Sequence, residues 1–312
     1  MARKLRVEYP GAMYPVMSRG DRREPSFKDD ADRKRFVETL GEACAKTGWQ
    51  VHAYVLMPNH FHLVVETPQA NLVAGMKWLL GTYTSRFNRG HKLFGHLFSG
   101  RYKSLIVDGS GGGYLKSVCD YVHLNPARAK LLAADAPLKG FAWSSWPAYL
   151  QAPAKRPAWL RVDRVLGEWG VPKDSPAGRQ RLERALEERR RTEEGEEFKP
   201  IRRGWCLGEE VFRQELLAQM SERLGAKHYG QERAETQTAK AEQIIAAELK
   251  RRRWNQADLK TWPKGDAMKV ALAARLRAET TMTVGWIAER LEMGTRGHLN
   301  HLLYRRKKVG EE

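Results

Sequence analysis

Two alternating apolar runs joined by a Pro-Asn step constrain this chain more than any other feature in it. The segment "WQVHAYVLM" (49–57) alternates, Pro58 and Asn59 follow, and "HFHLVVE" (60–66) alternates again. Successive strand side chains point to opposite faces, and a Pro-Asn pair marks a tight turn, so the segment predicts an antiparallel hairpin. Upstream, "MYPVMS" (13–18) reads as a strand and "SRGDRREP" as a loop. Phe36, Val37, Leu40 and Cys44 then recur at helical spacing, with Asp29 or Asp30 able to cap the helix and Gly48 to end it. Downstream, "NLVAGMKWLLGTYTSRFNR" predicts a helix opened by Asn71, "KSLIV" a fourth strand, and "GGGYLKSVCDYVHLN" a third helix stopped by Pro126. The order β-α-β-β-α-β-α predicts an α+β, ferredoxin-like domain: a four-stranded antiparallel sheet with helices on one face.

The remainder is expected to be mostly helical. The aromatic stretch "FAWSSWPAYL" completes a first domain over residues 1–150 by packing back on it. Residues 151–204 read as a Pro- and Gly-rich linker running into a helix dense in both charge signs, over 179–197. Residues 205–312 form the third region, with an amphipathic helix over 205–224 and three helices near the end. "VGWIAERL", a turn at Met293-Gly294 and a helix capped by Thr295 match a helix-turn-helix at about 267–308. Ile287, Ala288, Leu291, Leu299 and Leu302 would form its core, and Thr295, Arg296, His298 and Asn300 its DNA-facing surface; an ordinary three-helix bundle is the alternative.

Charge narrows the partner. The 312 residues carry a net charge of +18, which favours a polyanion. A membrane partner lacks support, because no uncharged apolar run approaches the roughly 18 residues of a bilayer span. The N-terminus "MARKLRVEYPGAM" has no apolar signal core. Cys44, Cys119 and Cys206 form no CxxC pair, which fits a reducing cytoplasm, and association with the nucleoid is expected there. Between Glu66 and Asp108 lie 41 residues without an acid. They hold Lys77, Arg86, Arg89, Lys92, Arg101 and Lys103, interleaved with Trp78, Tyr83, Phe87, Phe94, Phe98 and Tyr102. Cations neutralise phosphates and aromatic faces stack unpaired bases, a mixture suited to single-stranded or locally melted nucleic acid. Some of those aromatics, Trp78 and Phe87 among them, are expected in the core.

His60 and His62 share one strand face, with Phe61 on the other. Two imidazoles about 7 Å apart can converge on one cation. Tyr121 and Asn125 lie one helical turn apart. That pairing makes sense if the carboxamide oxygen helps to hold a divalent ion and the phenol attacks a phosphate beside it. Asn125 could instead cap its helix and Tyr121 could be a core aromatic. Mg²⁺ prefers oxygen ligands, whereas Mn²⁺ accepts imidazole more readily.

Four segments taken in order, "YPGAMYPVMSRGDRREPSF", "VHAYVLMPNHFHLVVETP", "GHLFSGRYKSLIV" and "YVHLNPARAKL", resemble the REP-associated tyrosine transposases. These belong to the single-tyrosine HUH transposases, named for a His-hydrophobe-His motif, and share an IS200-like transposase domain. The resemblance covers about residues 1–150. It implies a domain that binds a DNA hairpin and flanking single strand, a divalent metal (Mg²⁺ or Mn²⁺) held by His60, His62 and Asn125, and Tyr121 as the nucleophile. Two positions depart from the pattern: Pro15 stands where the family often has histidine, and the loop over 109–113 is unusually rich in glycine.

The expected chemistry is cleavage and rejoining of hairpin-flanked single-stranded DNA through a 5′-phosphotyrosine, by one chain or a homodimer and with no nucleotide cofactor. Arg128 is expected on a phosphate, Tyr114 is a rival nucleophile, His52 is expected in a structural role, and His123 in packing or a DNA contact. Three other functions compete: a catalytically silent DNA-binding regulator of the same fold, a metal-dependent hydrolase of small phosphoesters, and an RNA-binding module.

Overall fold

The computed structural model describes residues 7–193, 197–216 and 231–309. The chain divides into two compact units, Met1–Ala226 and Lys227–Glu312.

The first unit is built on the hairpin. Strands β2 (Gln50–Met57) and β3 (His60–Thr67) pair antiparallel, with Met57 opposite His60 across the Pro58-Asn59 turn. Strand β1 (Ala12–Arg19) pairs along the other edge of β3. The fourth strand is split at Leu105 into β4 (Lys103–Ser104) and β5 (Ile106–Val107), both antiparallel to β1. The spatial order is therefore β2-β3-β1 followed by the β4/β5 strand, the ferredoxin-like order. A short β6 (Cys206–Leu207) adds parallel to β5 and brings the sheet to six strands.

Helix α1 (Asp30–Thr47) starts where the Asp29 carboxylate accepts the Asp32 N–H at 2.8 Å, and ends at Gly48 in the left-handed region. Helix α2 (Leu72–His91) packs beside it. Asn71 sits at the start of α2 as expected, but its side chain is used elsewhere. It accepts from Trp49 Nε1 at 2.8 Å and donates to the Thr47 carbonyl at 2.9 Å, tying two loops together. Both helices cover the Phe61 face, where Phe61, Phe36, Tyr83 and Phe98 make an aromatic cluster. Helix α3 (Tyr114–Arg128) packs on β2 and β3 from the opposite face, the one that carries His60 and His62. Pro126 does not stop α3. It sits in the last turn, where its missing N–H costs a single helical bond.

The expected boundary near residue 150 and the linker over 151–204 differ from the structure, in which those residues belong to the first unit. The physical reason is the exposed edge of β2, whose free N–H and C=O groups need partners. Leu56 N–H donates to the Trp143 carbonyl, Ser145 N–H to Tyr54, Val51 N–H to Trp159 and Arg161 N–H to Val51. Trp146 and Tyr149 of α4 (Trp146–Tyr149) and Val165 and Leu166 of α5 (Asp163–Glu168) are buried behind this edge. The charged helix, α6 (Pro176–Thr192), is solvated on one side only, since Leu182 and Leu186 are buried in the same core. It leads to α7 (Lys199–Arg203). Of the amphipathic helix expected over 205–224, β6 takes the start, residues 210–216 form α8, and the rest lies outside the described residues.

The second unit contains α9 (Gln231–Arg252), α10 (Asp258–Thr261), α11 (Ala267–Glu279), α12 (Val284–Arg290) and α13 (Arg296–Val309). Helices α11, α12 and α13 pack on one another around Ile287, Ala288, Leu291, Met293 and Leu299, with Leu302 half-buried beside them. The turn between α12 and α13 places Glu292 and Gly294 at positive φ, and Thr295 Oγ1 accepts the His298 N–H at 3.2 Å. Lys269 is fully buried and donates to the carbonyls of Leu259 and Glu292, so its ammonium closes two chain turns. Among the described residues no helix is long and apolar enough to cross a membrane.

Candidate active site

His60 and His62 occupy alternate positions of β3 and are half-buried on the α3 face, with ring centroids 5.1 Å apart. His60 Nδ1 lies 2.8 Å from Asn59 Oδ1, and Asn59 Nδ2 donates to the Arg23 carbonyl at 3.1 Å. The amide orientation is thereby set, and its oxygen can only accept. His60 therefore carries its proton on Nδ1 and keeps a lone pair on Nε2. Such a partner orients an imidazole for metal ligation. Burial, with the nearby Arg19 guanidinium second, lowers the His60 pKa to about 4. Burial, then the His60, Arg128 and Arg19 charges, lowers His62 to about 3. Both rings are thus neutral, the form that binds metals.

Helix α3 brings Tyr121 against the pair. Its ring packs edge-on against His62, centroids 5.5 Å apart. Asn125 Nδ2 donates to the Tyr121 carbonyl at 3.0 Å, which leaves Oδ1 as its available acceptor. Two neutral imidazoles side by side fit a divalent ion of the Mn²⁺ type, and Asn125 Oδ1 is a further oxygen donor on the same helix as Tyr121. Arg128 does not stand free for a phosphate. It donates to the Tyr121 carbonyl at 2.8 Å and to Glu193 Oε1 at 2.9 Å, and its guanidinium lies 4.5 Å from the Tyr121 and Phe198 ring centres. Phe198 flanks Tyr121 at 5.5 Å. Behind the tyrosine, buried Asp120 accepts from Arg189 and, at 3.2 Å, from Trp169 Nε1. Burial outweighs these partners and raises the Asp120 pKa to about 7.

The other candidates separate. Lys77, Arg86 and Arg89 lie on α2, across the sheet from the histidines, and Arg86 is held by Glu42 at 2.6 and 3.0 Å. Arg101 and Lys103 are exposed in the loop and strand that follow α2. Of the interleaved aromatics, Tyr83, Phe87, Phe98 and Tyr102 are buried, Trp78 is half-buried, and Phe94 is 96% exposed. Thr295, Arg296, His298 and Asn300 are exposed in the second unit. Tyr114 packs on the core at the start of α3, two turns from Tyr121. His123 meets Ser145 Oγ at 2.7 Å and His52 meets Glu66 at 2.9 Å, both structural contacts. The glycine-rich loop is tied down: Gly109 O accepts from Arg164 at 2.7 Å, and Gly111, Gly112 and Gly113 take positive φ to enter α3. Asp29, Asp32 and His91 also lie close enough to hold an ion. However, Asp29 already caps α1, while Asp32 accepts from Lys28 N and His91 and sits 3.5 Å from Arg35.

Sequence reasoning missed Asn59 and Arg19. Asn59 was legible only as a turn residue, although it directly precedes the His-x-His motif. Arg19 becomes visible only through register, which places it opposite His60.

The α+β domain thus carries a paired-histidine face with a tyrosine-bearing helix packed on it. Residues 9–125 match the family model described as "Transposase IS200 like". One solved structure similar to the chain is that of a REP-associated tyrosine transposase bound to a REP hairpin. It is 12% identical, with a TM-score of 0.42, and covers 52% of this chain and 92% of its own. No curated protein matches the chain.

Proposed function

We propose that the protein is a metal-dependent single-strand DNA endonuclease and strand transferase of the transposase type, acting on hairpin-flanked DNA. The observation that carries this reading is Tyr121 packed against one of two neutral imidazoles, with the carboxamide of Asn125 one turn along. His60 Nε2, His62 and Asn125 Oδ1 would hold the divalent ion, which supplies Lewis-acid polarisation of the scissile phosphate. Tyr121 Oη attacks phosphorus in line, and the bond to the 3′-oxygen breaks. The strand is left with a 5′-phosphotyrosine and a free 3′-hydroxyl, and the tyrosine proton is carried to that leaving oxygen overall. The phosphodiester energy is conserved, so a 3′-hydroxyl can reverse the step and join strands. Arg128 braces the tyrosine through its backbone carbonyl and ring. The exposed residues Thr295, Arg296, His298 and Asn300 would add a second DNA contact, through a helix-turn-helix formed by α12 and α13.

The test is an SDS-resistant protein–DNA adduct formed with a single-stranded hairpin substrate and Mn²⁺. Wild type forms it, Tyr121→Phe does not, and His60→Ala is strongly impaired. An adduct with Tyr121→Phe overturns the nucleophile. Hairpin binding with no adduct in wild type identifies a catalytically silent regulator instead.

A further inference from the structure

We propose that Arg19 and Lys103 are phosphate clamps on the histidine face, and that they make the single DNA strand cross the sheet from β3 over β1 to β4. The inference rests on the endonuclease reading for its ligand. Residues directly opposite on antiparallel strands share a face. Arg19 is opposite His60, Met17 is opposite His62, and Lys103 is opposite Met17. One face therefore carries Arg19 beside the first imidazole, and a row in which His62, Met17 and Lys103 follow one another across three strands. At the usual strand spacing of about 4.8 Å, Arg19 lies one strand from the imidazoles and Lys103 lies two, about 10 Å away.

Both side chains are exposed, and neither makes an ion pair among the described residues. That sets them apart from Arg86, Arg128 and Arg189, each held by a carboxylate. Backbone bonds fix the ground on which they stand. Gly20 N–H donates to the Asn59 carbonyl, Asp21 N–H to Leu97 and Ser99 N–H to Arg19, so three loops are bound together at the histidine end of the sheet. Arg22 and Arg23, exposed and both at positive φ, sit in the first of these loops and add charge at the same end. Met17 gives the track a half-buried apolar floor between its two cations. A guanidinium suits the more demanding position beside the metal ligands, because its planar fork can grip two oxygens of one phosphate. An ammonium suits a neighbouring phosphate that needs only charge.

The experiment uses the full chain and a hairpin with a flanking single strand, in which one phosphate at a time is replaced by a neutral methylphosphonate. Binding is measured without divalent metal, so the result does not depend on cleavage. Wild type should lose affinity at a short run of positions. Arg19→Gln should become insensitive at one of them and Lys103→Gln at a different one to the same side, and each should reduce the slope of log K against log salt by about 1. Unchanged sensitivity profiles and salt slopes in both variants would overturn the proposal, as would a loss of sensitivity spread evenly along the strand. Failure of the tyrosine chemistry shows separately, as absence of the adduct while the binding profile still reports on the clamps.

Discussion

The two faces of the central sheet obey different rules, although they are made by alternate residues of the same strands. On the α1/α2 face Phe61 is wholly buried in an aromatic cluster with Phe36, Tyr83 and Phe98. On the α3 face His60 and His62 stay half-buried, flanked by Arg19, Lys103 and Tyr121. One face spends its side chains on excluding water. The other leaves polar atoms unmatched where a ligand can meet them. The comparison teaches that stability and chemistry are separated here by a single residue of strand register.

The strongest way to break that division is Phe61→Ala. Loss of a fully buried aromatic is expected to cost about 3–5 kcal/mol, read by denaturant unfolding, because the cluster cannot close over the cavity. His62→Ala should leave unfolding nearly unchanged and abolish the adduct; comparable destabilisation would mean that the histidine face is core. A smaller effect should come from Asn59→Ala. Without its acceptor the His60 ring loses a fixed tautomer, and Mn²⁺ affinity measured by titration calorimetry should fall about 10- to 100-fold, with the melting temperature retained.

Asp120→Asn sharpens the comparison through pH. The folded Asp120 pKa is raised, to about 7, so the folded state binds its proton more tightly than the unfolded chain does. Its contribution is fully present below the unfolded carboxylate range and is lost as pH rises through about 7. Wild type should therefore lose thermal stability across that window relative to Asp120→Asn, whose curve should be flatter. Identical slopes would show that Arg189 keeps the carboxylate charged throughout. The smallest effect belongs to Arg86→Ala, which removes a half-exposed ion pair with Glu42. It should cost less than about 1 kcal/mol and leave hairpin affinity unchanged.

Much of the site was legible in particular residues. The alternation around Pro58-Asn59 put His60 and His62 on one side, because strand periodicity is local. The spacing of Tyr121 and Asn125 put them on one helix stripe for the same reason. The acid-free stretch misled in part. Its charge pattern does not say that α2 turns Lys77, Arg86 and Arg89 to the far side of the sheet, while the loop and strand after α2 return to the near side. The segment over 151–204 misled for a related reason. Pro and Gly look like a linker wherever backbone partners are unknown, and the partner here is an edge strand roughly 100 residues earlier.

The amino-acid sequence by itself determined the hairpin, the βαββαβ order, the paired imidazoles and the tyrosine helix, since each depends on residues within a few positions of one another. Only the tertiary structure decided that α3 lies across from α1 and α2, that Arg128 serves Tyr121, that Asn59 fixes His60, and that Arg19 and Lys103 share the histidine face. Those facts depend on register and on which chain segment covers which edge. They are settled by burial and backbone pairing summed over the whole domain, and no short window of residues contains that sum.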